Sequence, residues 1–269
     1  MVNHIYFTWL TRKAGVSLTV SPAGSTIRPS ALAATCMDST AASAPPDDDP
    51  ETRVHGAITR ALLAGKLRPG TALRERALAE MFGCTRGAVR KVLARLGQEG
   101  KLEIVHNRGA FVPQPTVEDI RAVYEARSAL EVGILALLAR RLDAQGVATL
   151  EAHVRAEELA WRAGNREESV RLAGGFHLRL IDMLNNPELT PLLQRLVART
   201  QLFVALYEKG EDSHCAPDEH RVIVDALARG DAAGATEAML THLEEVQARV
   251  LRHARRDDER ELREILTGA

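Results

Sequence analysis

Apolar residues recur at helical spacing in three short segments near the start of the regularly patterned part of the chain. These segments span residues 53–64, 73–82 and 85–96. Pro69-Gly70 separates the first two, Gly83 suits a left-handed cap for the second, and Thr85 suits the N-cap of the third. The pattern therefore predicts three short consecutive helices.

After these helices the helical spacing of apolar residues ends and short β-prone runs begin. Residues 101–112 contain two short β-prone runs around Asn107-Arg108-Gly109, and this arrangement predicts a hairpin. A helix, a helix-turn-helix and a hairpin in this order make a winged helix-turn-helix, whose third helix enters the major groove of DNA. We therefore expect residues 51–115 to form a DNA-binding domain.

The helical period resumes at residue 116 and continues almost to the end of the chain. Six segments carry an apolar stripe: 117–142, 143–163, 167–184, 188–207, 217–228 and 231–256. Gly164, Asn185-Asn186-Pro187 and Gly230 interrupt the pattern between helices. The expected fold class is mainly α, with an N-terminal winged helix-turn-helix carrying a small β-hairpin wing and an antiparallel all-helical bundle of about six helices over residues 116–256.

The two ends of the chain have a different composition. Residues 1–50 are rich in Ser, Thr, Ala and Pro without a sustained period, so we expect a disordered leader. Met37 opens a more usual leader sequence, and a start there would make residues 1–36 an artefact of start-site assignment. Residues 257–269 carry dense alternating charge and are expected to form a charged tail that frays from the last helix.

Composition and cysteine usage narrow the class of protein. Hydrophobic residues make up 45% of the chain and charged residues 26%, ordinary values that exclude wholesale disorder. No apolar run approaches the roughly 18 to 20 residues of a membrane span. Cys36, Cys84 and Cys215 form no CxxC pair, which argues against a disulfide framework or a thiolate zinc site. We therefore expect a cytoplasmic protein without a membrane anchor.

Net charge becomes informative when it is divided along the chain. The whole chain carries −1, but residues 51–115 hold 12 Lys or Arg and 5 Asp or Glu, a net charge of +7. Residues 116–269 hold 20 and 27, a net charge of −7. A basic module joined to an acidic one indicates a small domain that meets a polyanion and a larger domain that does not.

The basic residues of the first module cluster where a winged helix contacts DNA. Arg86, Arg90 and Lys91 lie in the first two turns of the third helix, Arg76 lies early on the second, and Arg108 lies at the tip of the wing. Arginine in bidentate geometry favours guanine O6 and N7, and all five side chains can reach phosphates. The alternative is an ordinary solvated basic helix face.

Three of the nine histidines, His177, His220 and His242, suggest a metal site. His220 and His242 flank one helix hairpin at Gly230 at nearly equal distances, so their imidazoles return to the same level of the bundle. His177 shares the inward stripe of its own helix with Leu180. Imidazoles from separate helices suit zinc, nickel, cobalt or iron. Spacing alone leaves open that the three are buried histidines satisfied by hydrogen bonds.

Several motifs together resemble the GntR family. The first part resembles its winged helix, and the remainder resembles the all-helical ligand-binding FCD domain of the FadR-like branch. The resemblance covers about residues 52–252. Its main motifs are Gly65-Lys66-Leu67-Arg68-Pro69-Gly70, Leu73-Arg74-Glu75-Arg76-Ala77-Leu78-Ala79, Thr85-Arg86-Gly87-Ala88-Val89-Arg90, Tyr124-Glu125-Ala126-Arg127, Phe176-His177, Asn186-Pro187-Glu188-Leu189, Glu219-His220 and His242-Leu243.

The resemblance implies roles for individual DNA-binding residues. Arg76, Arg86 and Arg90 take the family's DNA-contact positions, Thr85 opens the recognition helix and Arg108-Gly109 forms the wing tip. Thr85 replaces the family's usual serine, and Gly87-Ala88 replaces its common Thr-Pro pair. These departures prevent the operator sequence from being carried over.

The resemblance also implies a divalent metal and an organic-acid effector in the bundle. His177, His220 and His242 match the three metal-binding histidines of metal-containing members, with zinc expected first and nickel or another ion as alternatives. Ala173 stands where those members have an aspartate. The resulting site has three nitrogens, completed by water or an effector oxygen, and a lower metal affinity.

Two further residues are assigned to the effector. Arg127 matches the family's pocket arginine and would hold a carboxylate as a fork, or it would instead form a surface salt bridge with Glu131. Asn186 is a second candidate contact, although a loop cap is its more ordinary role.

The resulting interpretation is a homodimeric, effector-responsive transcription regulator, commonly a repressor in this family, that binds a short pseudo-palindromic operator in double-stranded DNA. Two alternatives remain. The first is a hydratase or hydrolase that uses the three histidines, with Glu219 as its base, although such an enzyme leaves the basic module unexplained. The second is an architectural DNA binder without effector control.

Overall fold

The computed structural model describes residues 49–208 and 217–267, with side chains as far as Arg255. The expectations of a disordered leader over residues 1–50 and of a start at Met37 concern residues that lie almost entirely outside this range. The described residues belong to one compact unit.

The basic module folds as predicted, into three helices and a small sheet. Its elements are α1 (Pro50–Leu63), β1 (Ala72–Leu73), α2 (Glu75–Phe82), α3 (Arg86–Gln98), β2 (Glu103–Val105) and β3 (Gly109–Phe111). The strands form an antiparallel sheet in the order β1-β3-β2. The hairpin prediction is confirmed, whereas β1 was missed because two residues are too few to show a period.

Local signals at the start of the recognition helix are also confirmed. Gly83 ends α2 in the left-handed region with φ of 62°. The Thr85 side chain accepts a hydrogen bond from the backbone N–H of Ala88 at 3.1 Å, which caps α3. Val89 and Leu96 of α3 are fully buried, so the opposite face of the helix is left for the basic side chains.

The acidic part forms the six predicted helices. They are α4 (Val117–Leu138), α5 (Ala144–Arg162), α6 (Arg166–Leu184), α7 (Leu189–Tyr207), α8 (Pro217–Ala228) and α9 (Ala232–Thr267). The prediction for α4 ran to residue 142, but the helix ends at Leu138, where the Arg141 N–H donates to the Leu138 carbonyl in a tighter three-residue turn. The α9 helix extends past residue 256 to Thr267, because no Gly or Pro interrupts that segment.

The winged helix rests against the bundle through the turn after α1. Gly65 has φ of 65°, and a Cβ at this position would lie only 2.6 Å from the backbone oxygen of Ala205 in α7. A glycine is therefore required both by the left-handed backbone and by the close approach. This contact places the end of α1 beside the C-terminal half of α7.

Two expectations from composition concern the described residues. Within residues 49–208 and 217–267, no helix is long and apolar enough to cross a membrane. Cys84 is a free, half-buried thiol, and Cys36 and Cys215 lie outside the described residues.

Candidate DNA-binding surface and effector cavity

The structure brings the three predicted histidines together inside the bundle. His177 comes from α6, His220 from α8 and His242 from α9, and each is at most 2% exposed. One ligand nitrogen from each lies within 4.8 Å of the others. The Nε2 atoms of His220 and His242 are 3.3 Å apart. The two sides of the α8–α9 hairpin thus return their imidazoles to the same level, as the spacing predicted.

Each imidazole is oriented by a carboxylate at its other nitrogen. Glu131 accepts from His177 Nδ1 at 2.5 Å, Glu157 from His220 Nδ1 at 2.7 Å and Glu219 from His242 Nδ1 at 2.5 Å. A proton on each Nδ1 leaves the Nε2 lone pairs facing one another. Such carboxylate–histidine pairs are the usual outer support of histidine metal ligands.

The electrostatics of the cluster favour neutral imidazoles at His177 and His242. Burial, reinforced by nearby positive charge, holds the pKa of His177 and of His242 well below the ordinary value. The Nε2 atoms of His220 and His242 lie 3.3 Å apart, close enough to be ligands of one ion. The three histidines therefore fit a divalent cation by donor type and convergence.

Glu131 and Glu219 also pair with arginines, whereas Glu157 pairs with two histidines. Burial raises the pKa of Glu131, and the Arg127 guanidinium opposes this shift through an Nε–Oε1 contact of 2.5 Å. Burial also acts to raise the pKa of Glu157, but His220 and His153 outweigh it and the net pKa is lowered. Glu219 uses its second oxygen to accept from Arg249 Nη1 at 3.2 Å.

A cavity of about 750 Å³ opens beside the histidines. His177 and His242 form part of its wall, together with Ala173, Arg127 and Thr200. Ala173, which stands where metal-containing family members have an aspartate, lies one helical turn before His177. Both residues therefore face the same cavity. The cavity is large enough for a drug-sized ligand.

Arg127 lines this cavity, and one of its donor groups has no hydrogen-bond partner among the described residues. Its Nε pairs with Glu131, and its Nη1 donates to Thr200 Oγ1 at 2.8 Å. Nη2 is buried and has no hydrogen-bond partner among the described residues. The side chain is only 4% exposed, so the pair with Glu131 is a buried one and not the surface salt bridge considered from sequence.

Asn186, the other predicted effector contact, lies elsewhere. Its Oδ1 accepts from the backbone N–H groups of Glu188 and Leu189 at 3.0 and 3.2 Å, which caps the start of α7. It does not line the cavity described above. A capping role accounts for its geometry, and the structure offers no support for an effector contact.

Sequence reasoning missed Glu157 as a partner of the histidines. The residue is 3% exposed and occupies an inward position of α5, on the same stripe as Leu150 and Val154. A charged residue in an apolar stripe is rarely buried without a partner. This charged residue in an apolar stripe was the sequence signal that could have identified Glu157 as a buried, partnered carboxylate.

The predicted DNA-contact residues lie on the exposed side of the winged helix. Arg76, Arg86, Arg90 and Lys91 have side chains at least 65% exposed. The Arg108 guanidinium lies 5.4 Å from the centre of the Phe111 ring, and Gly109 begins β3 beside it. Both residues therefore lie at the wing, apart from the recognition helix in sequence.

Glu75 holds part of this surface in place. Its two oxygens accept from Arg90 Nε and Nη2 at 2.9 and 2.8 Å, and its Oε2 is 3.9 Å from Arg86 Nη2. Arg90 is thus oriented by a fork before DNA is present. Arg86 is less constrained and is the clearer probe of base contact.

Two family descriptions match the two parts of the chain. Residues 50–112 match "Bacterial regulatory proteins, gntR family", and residues 122–245 match "FCD domain". The chain belongs to the GntR family. It is a transcriptional regulator of that family with an FCD domain, as the resemblance implied.

Individual GntR relatives agree with this assignment. The regulator is 28% identical to the HTH-type transcriptional regulator LutR of Bacillus subtilis over 205 residues, 68% of this chain and 93% of that protein. It is 27% identical to the Uxu operon transcriptional regulator of Escherichia coli over 232 residues, 78% of this chain and 90% of that protein. These relatives are transcriptional regulators, not enzymes.

Solved structures of GntR proteins show the same fold. McbR/YncC of E. coli matches with a TM-score of 0.65 at 21% identity, over 76% of this chain and 98% of that one. A GntR regulator from Rhodococcus sp. RHA1 matches with a TM-score of 0.63 at 25% identity, over 75% of this chain and 97% of that one. The arrangement of a winged helix followed by a helical bundle is therefore shared.

Proposed function

We propose that this GntR regulator binds a short pseudo-palindromic operator as a homodimer, acts as a repressor in the cytoplasm and responds to an organic acid in the bundle cavity. The observation that carries the effector assignment is the buried Nη2 of Arg127, a donor without a hydrogen-bond partner among the described residues, on a side chain that lines the same cavity as His177 and His242. A buried donor without a partner is costly, and a ligand carboxylate removes that cost. An acid that binds one dimer geometry better than another shifts the population that fits the operator.

The DNA-binding surface supplies the other half of the proposal. Arg86, Arg90 and Lys91 follow the Thr85 cap on α3, Arg76 lies on α2, and Arg108 with Gly109 forms the wing. A recognition helix in the major groove reads base edges through such arginines, while lysines mainly neutralise phosphates. In a two-fold symmetric dimer the two copies of this surface would bind two half-sites related by the same symmetry.

Replacing Arg86 with Ala tests this surface. Because a bidentate arginine–guanine contact distinguishes one base pair from another, we expect R86A to lose about 10- to 100-fold in affinity for an operator selected from random sequences. Affinity for random DNA should fall much less. Fluorescence anisotropy with both DNAs provides the measurement.

Arg155 supplies the matched control for R86A. This arginine lies on α5 of the bundle with its side chain 58% exposed, far from the recognition helix in sequence. R155A should bind both DNAs like the wild type. An equal loss by R86A on operator and random DNA would reassign Arg86 to phosphate contact.

The histidine cluster would hold a divalent metal, with zinc the first choice by donor type. His177, His220 and His242 would bind it through Nε2, and Ala173 contributes no ligand atom. A bound divalent cation supplies positive charge and open coordination positions that an effector oxygen can fill. The three carboxylates Glu131, Glu157 and Glu219 keep each imidazole in the correct orientation and tautomer.

Arg127→Lys tests the effector anchor. Lysine keeps the positive charge beside Glu131 but has no group equivalent to Nη2. We expect an organic acid that binds the wild type to raise its melting temperature by about 5 °C or more at saturation, and to raise that of R127K far less. A thermal-shift screen with lactate, succinate, citrate and adipate, each with and without Zn²⁺, measures this.

The screen separates effector control from a purely architectural role. If none of the acids shifts the melting temperature or the operator affinity of the wild type, the effector proposal is wrong and the bundle serves dimerisation alone. If R127K responds like the wild type, the anchor is another group. An exposed arginine of the same bundle, Arg140, provides the control substitution R140K.

The geometry of Glu219 does not support the alternative of a hydratase or hydrolase. Glu219 was the candidate general base, but one of its oxygens accepts from His242 and the other from Arg249. A base must be free to take a proton from a reacting water. The carboxylate instead orients a histidine.

A further inference from the structure

The three carboxylates that orient the histidines differ in what lies beside their second oxygen. Two of them, Glu131 and Glu219, use that oxygen to pair with an arginine. Glu157 instead lies beside a fourth histidine, His153 of α5. His153 therefore takes, for Glu157, the place that the arginines take for the other two carboxylates.

A single N–H group of His153 lies between α5 and α6. Its Nε2 donates to the backbone oxygen of Leu172 at 2.9 Å, and a carbonyl only accepts, so this nitrogen carries the proton. The same Nε2 is 3.2 Å from Glu157 Oε1, an electrostatic contact rather than a well-directed hydrogen bond. The other oxygen, Glu157 Oε2, accepts from His220 Nδ1 at 2.7 Å. The contacts thus run in one line from His153 through Glu157 to a histidine of the cluster.

The surroundings keep this line of contacts away from bulk water. The side chain of Glu157 is 4% exposed and that of His153 is 10% exposed. Phe176 is fully buried and stacks on His220 with ring centroids 4.1 Å apart. A buried carboxylate is costly unless donors or cations lie beside it. His220 serves one oxygen of Glu157, and His153 serves the other.

The backbone of α6 leaves room for the His153 ring. A Cβ at Gly175 would lie 3.2 Å from His153 Cε1 and 3.5 Å from its Nε2, so the ring packs closely against this glycine. Gly175 and Leu172 both belong to the stretch of α6 that leads to His177. The helix that carries one histidine of the cluster therefore also fixes the residue that contacts the support of another.

We propose that His153 is a positioning residue of the metal site, which holds Glu157 in place and through it the imidazole of His220. This inference rests on the proposed metal-binding role of His177, His220 and His242. It adds a fourth histidine that is not itself a ligand and that determines how firmly one ligand is oriented.

Such support matters more in this chain because Ala173 supplies no ligand atom. Three imidazole nitrogens must hold the ion without an anionic protein ligand, so affinity depends on how well the imidazoles are oriented before the ion binds. Residues that orient metal ligands typically contribute 10- to 100-fold to metal affinity. We expect His153 to contribute within this range.

His153→Leu tests the inference in the full-length protein. Leucine preserves helix propensity and apolar bulk but removes the N–H beside Glu157. We expect zinc affinity, measured by competition with a chromogenic chelator, to fall about 10- to 100-fold. His55→Leu is the matched control, since His55 is a half-buried histidine that contacts Glu99 at 3.0 Å in the winged helix. H55L should bind zinc like the wild type.

Two polar variants separate positioning from a loss of stability. The side-chain nitrogen of glutamine reaches about the place of histidine Nε2, whereas that of asparagine corresponds to Nδ1. His153→Gln should therefore restore most of the zinc affinity, and His153→Asn should bind as weakly as H153L. The visible spectrum of Co²⁺-loaded protein gives a second measurement: H153Q should match the wild type, and H153N should differ. This comparison keeps the test decisive if H153L folds poorly.

A double substitution tests whether His153 acts through Glu157. Glu157→Gln removes the charge that His153 contacts and should itself weaken zinc binding. If His153 works through this carboxylate, adding H153L to E157Q should cause little further loss of zinc affinity. Additive losses would refute the inference, because His153 would then act by another route.

The outcomes distinguish this inference from the proposed function. A wild type that takes up no zinc would contradict the metal site and this inference with it. A wild type that binds zinc, together with H153L and H153N of equal affinity, would keep the metal site and refute the role of His153.

Discussion

Protein purified without a histidine tag should contain close to one divalent metal ion per chain, and the His177→Ala/His220→Ala double variant should contain none. Two of the three Nε2 donors are lost in this variant, and a single remaining imidazole does not hold a divalent ion against a chelator. Elemental analysis after extensive dialysis measures the metal content. Removal of the metal from the wild type should also lower its melting temperature.

A histidine outside the cluster provides the control for this measurement. His106 is exposed at the turn of the wing, and H106A should retain the full metal content. Metal in the double variant would place the ion elsewhere. Absence of metal from both proteins would make the cluster a purely structural, hydrogen-bonded one.

Ala173→Asp is expected to increase the metal affinity that the double histidine variant should abolish. Position 173 precedes His177 by one turn and faces the same cavity, so an aspartate there adds a charged oxygen to three neutral nitrogens. We expect zinc affinity, measured by competition with a chromogenic chelator, to rise at least about tenfold. An unchanged affinity would show that the missing carboxylate is not what sets the strength of this site.

The convergence of the histidines followed from sequence because it depends on local geometry. His220 and His242 flank a single helix hairpin, so the rise per residue alone places them at the same level. His177 lies on the inward stripe of α6 with Leu180. Helical periodicity was therefore sufficient to predict that His220 and His242 meet and that His177 points into the bundle.

The supporting residues required tertiary information. Glu131 comes from α4 and Glu157 from α5, and no fixed spacing relates them to the histidines that they orient. Glu157 broke an apolar stripe, which marked it as buried without identifying its partner. The cavity itself was equally hidden, because it depends on how α6 and α7 face each other and on the turn at Gly65.

In the winged helix, too, local signals could be predicted from sequence and contacts between helices could not. The Thr85 cap and the Gly83 turn are local signals, and both were confirmed. The fork between Glu75 and Arg90 joins residues of α2 and α3 that lie 15 positions apart, and it depends on the angle at which the two helices cross. The chemistry of such a surface can be predicted from sequence, but its preorganisation cannot.

Arg127 and Glu131 connect the two halves of the effector site. Glu131 accepts from His177 with one oxygen and from Arg127 with the other. A ligand carboxylate bound at Arg127, as proposed, would therefore add a charge to the same network that orients His177. Metal and effector affinity should be coupled through this carboxylate, and such coupling is reciprocal.

Replacing Arg127 with Met should lower the free energy of unfolding by about 3 to 5 kcal/mol, the typical cost of breaking a buried ion pair by removing one partner. Glu131 is 1% exposed, so its charge would remain buried without a cation beside it. Methionine fills a similar volume and avoids a large cavity. Urea unfolding followed by circular dichroism, at a fixed protein concentration, measures the loss.

The Arg127→Met/Glu131→Gln double variant separates the charge effect from packing. Glutamine keeps an oxygen that accepts from His177 Nδ1 but carries no charge, so the double variant should recover most of the stability that R127M loses. Glu131→Gln alone should destabilise the protein, because it leaves the Arg127 charge buried. Additive losses in the double variant would show that the two residues contribute independently, and the buried pair would then no longer explain how Arg127 is held in position beside the cavity.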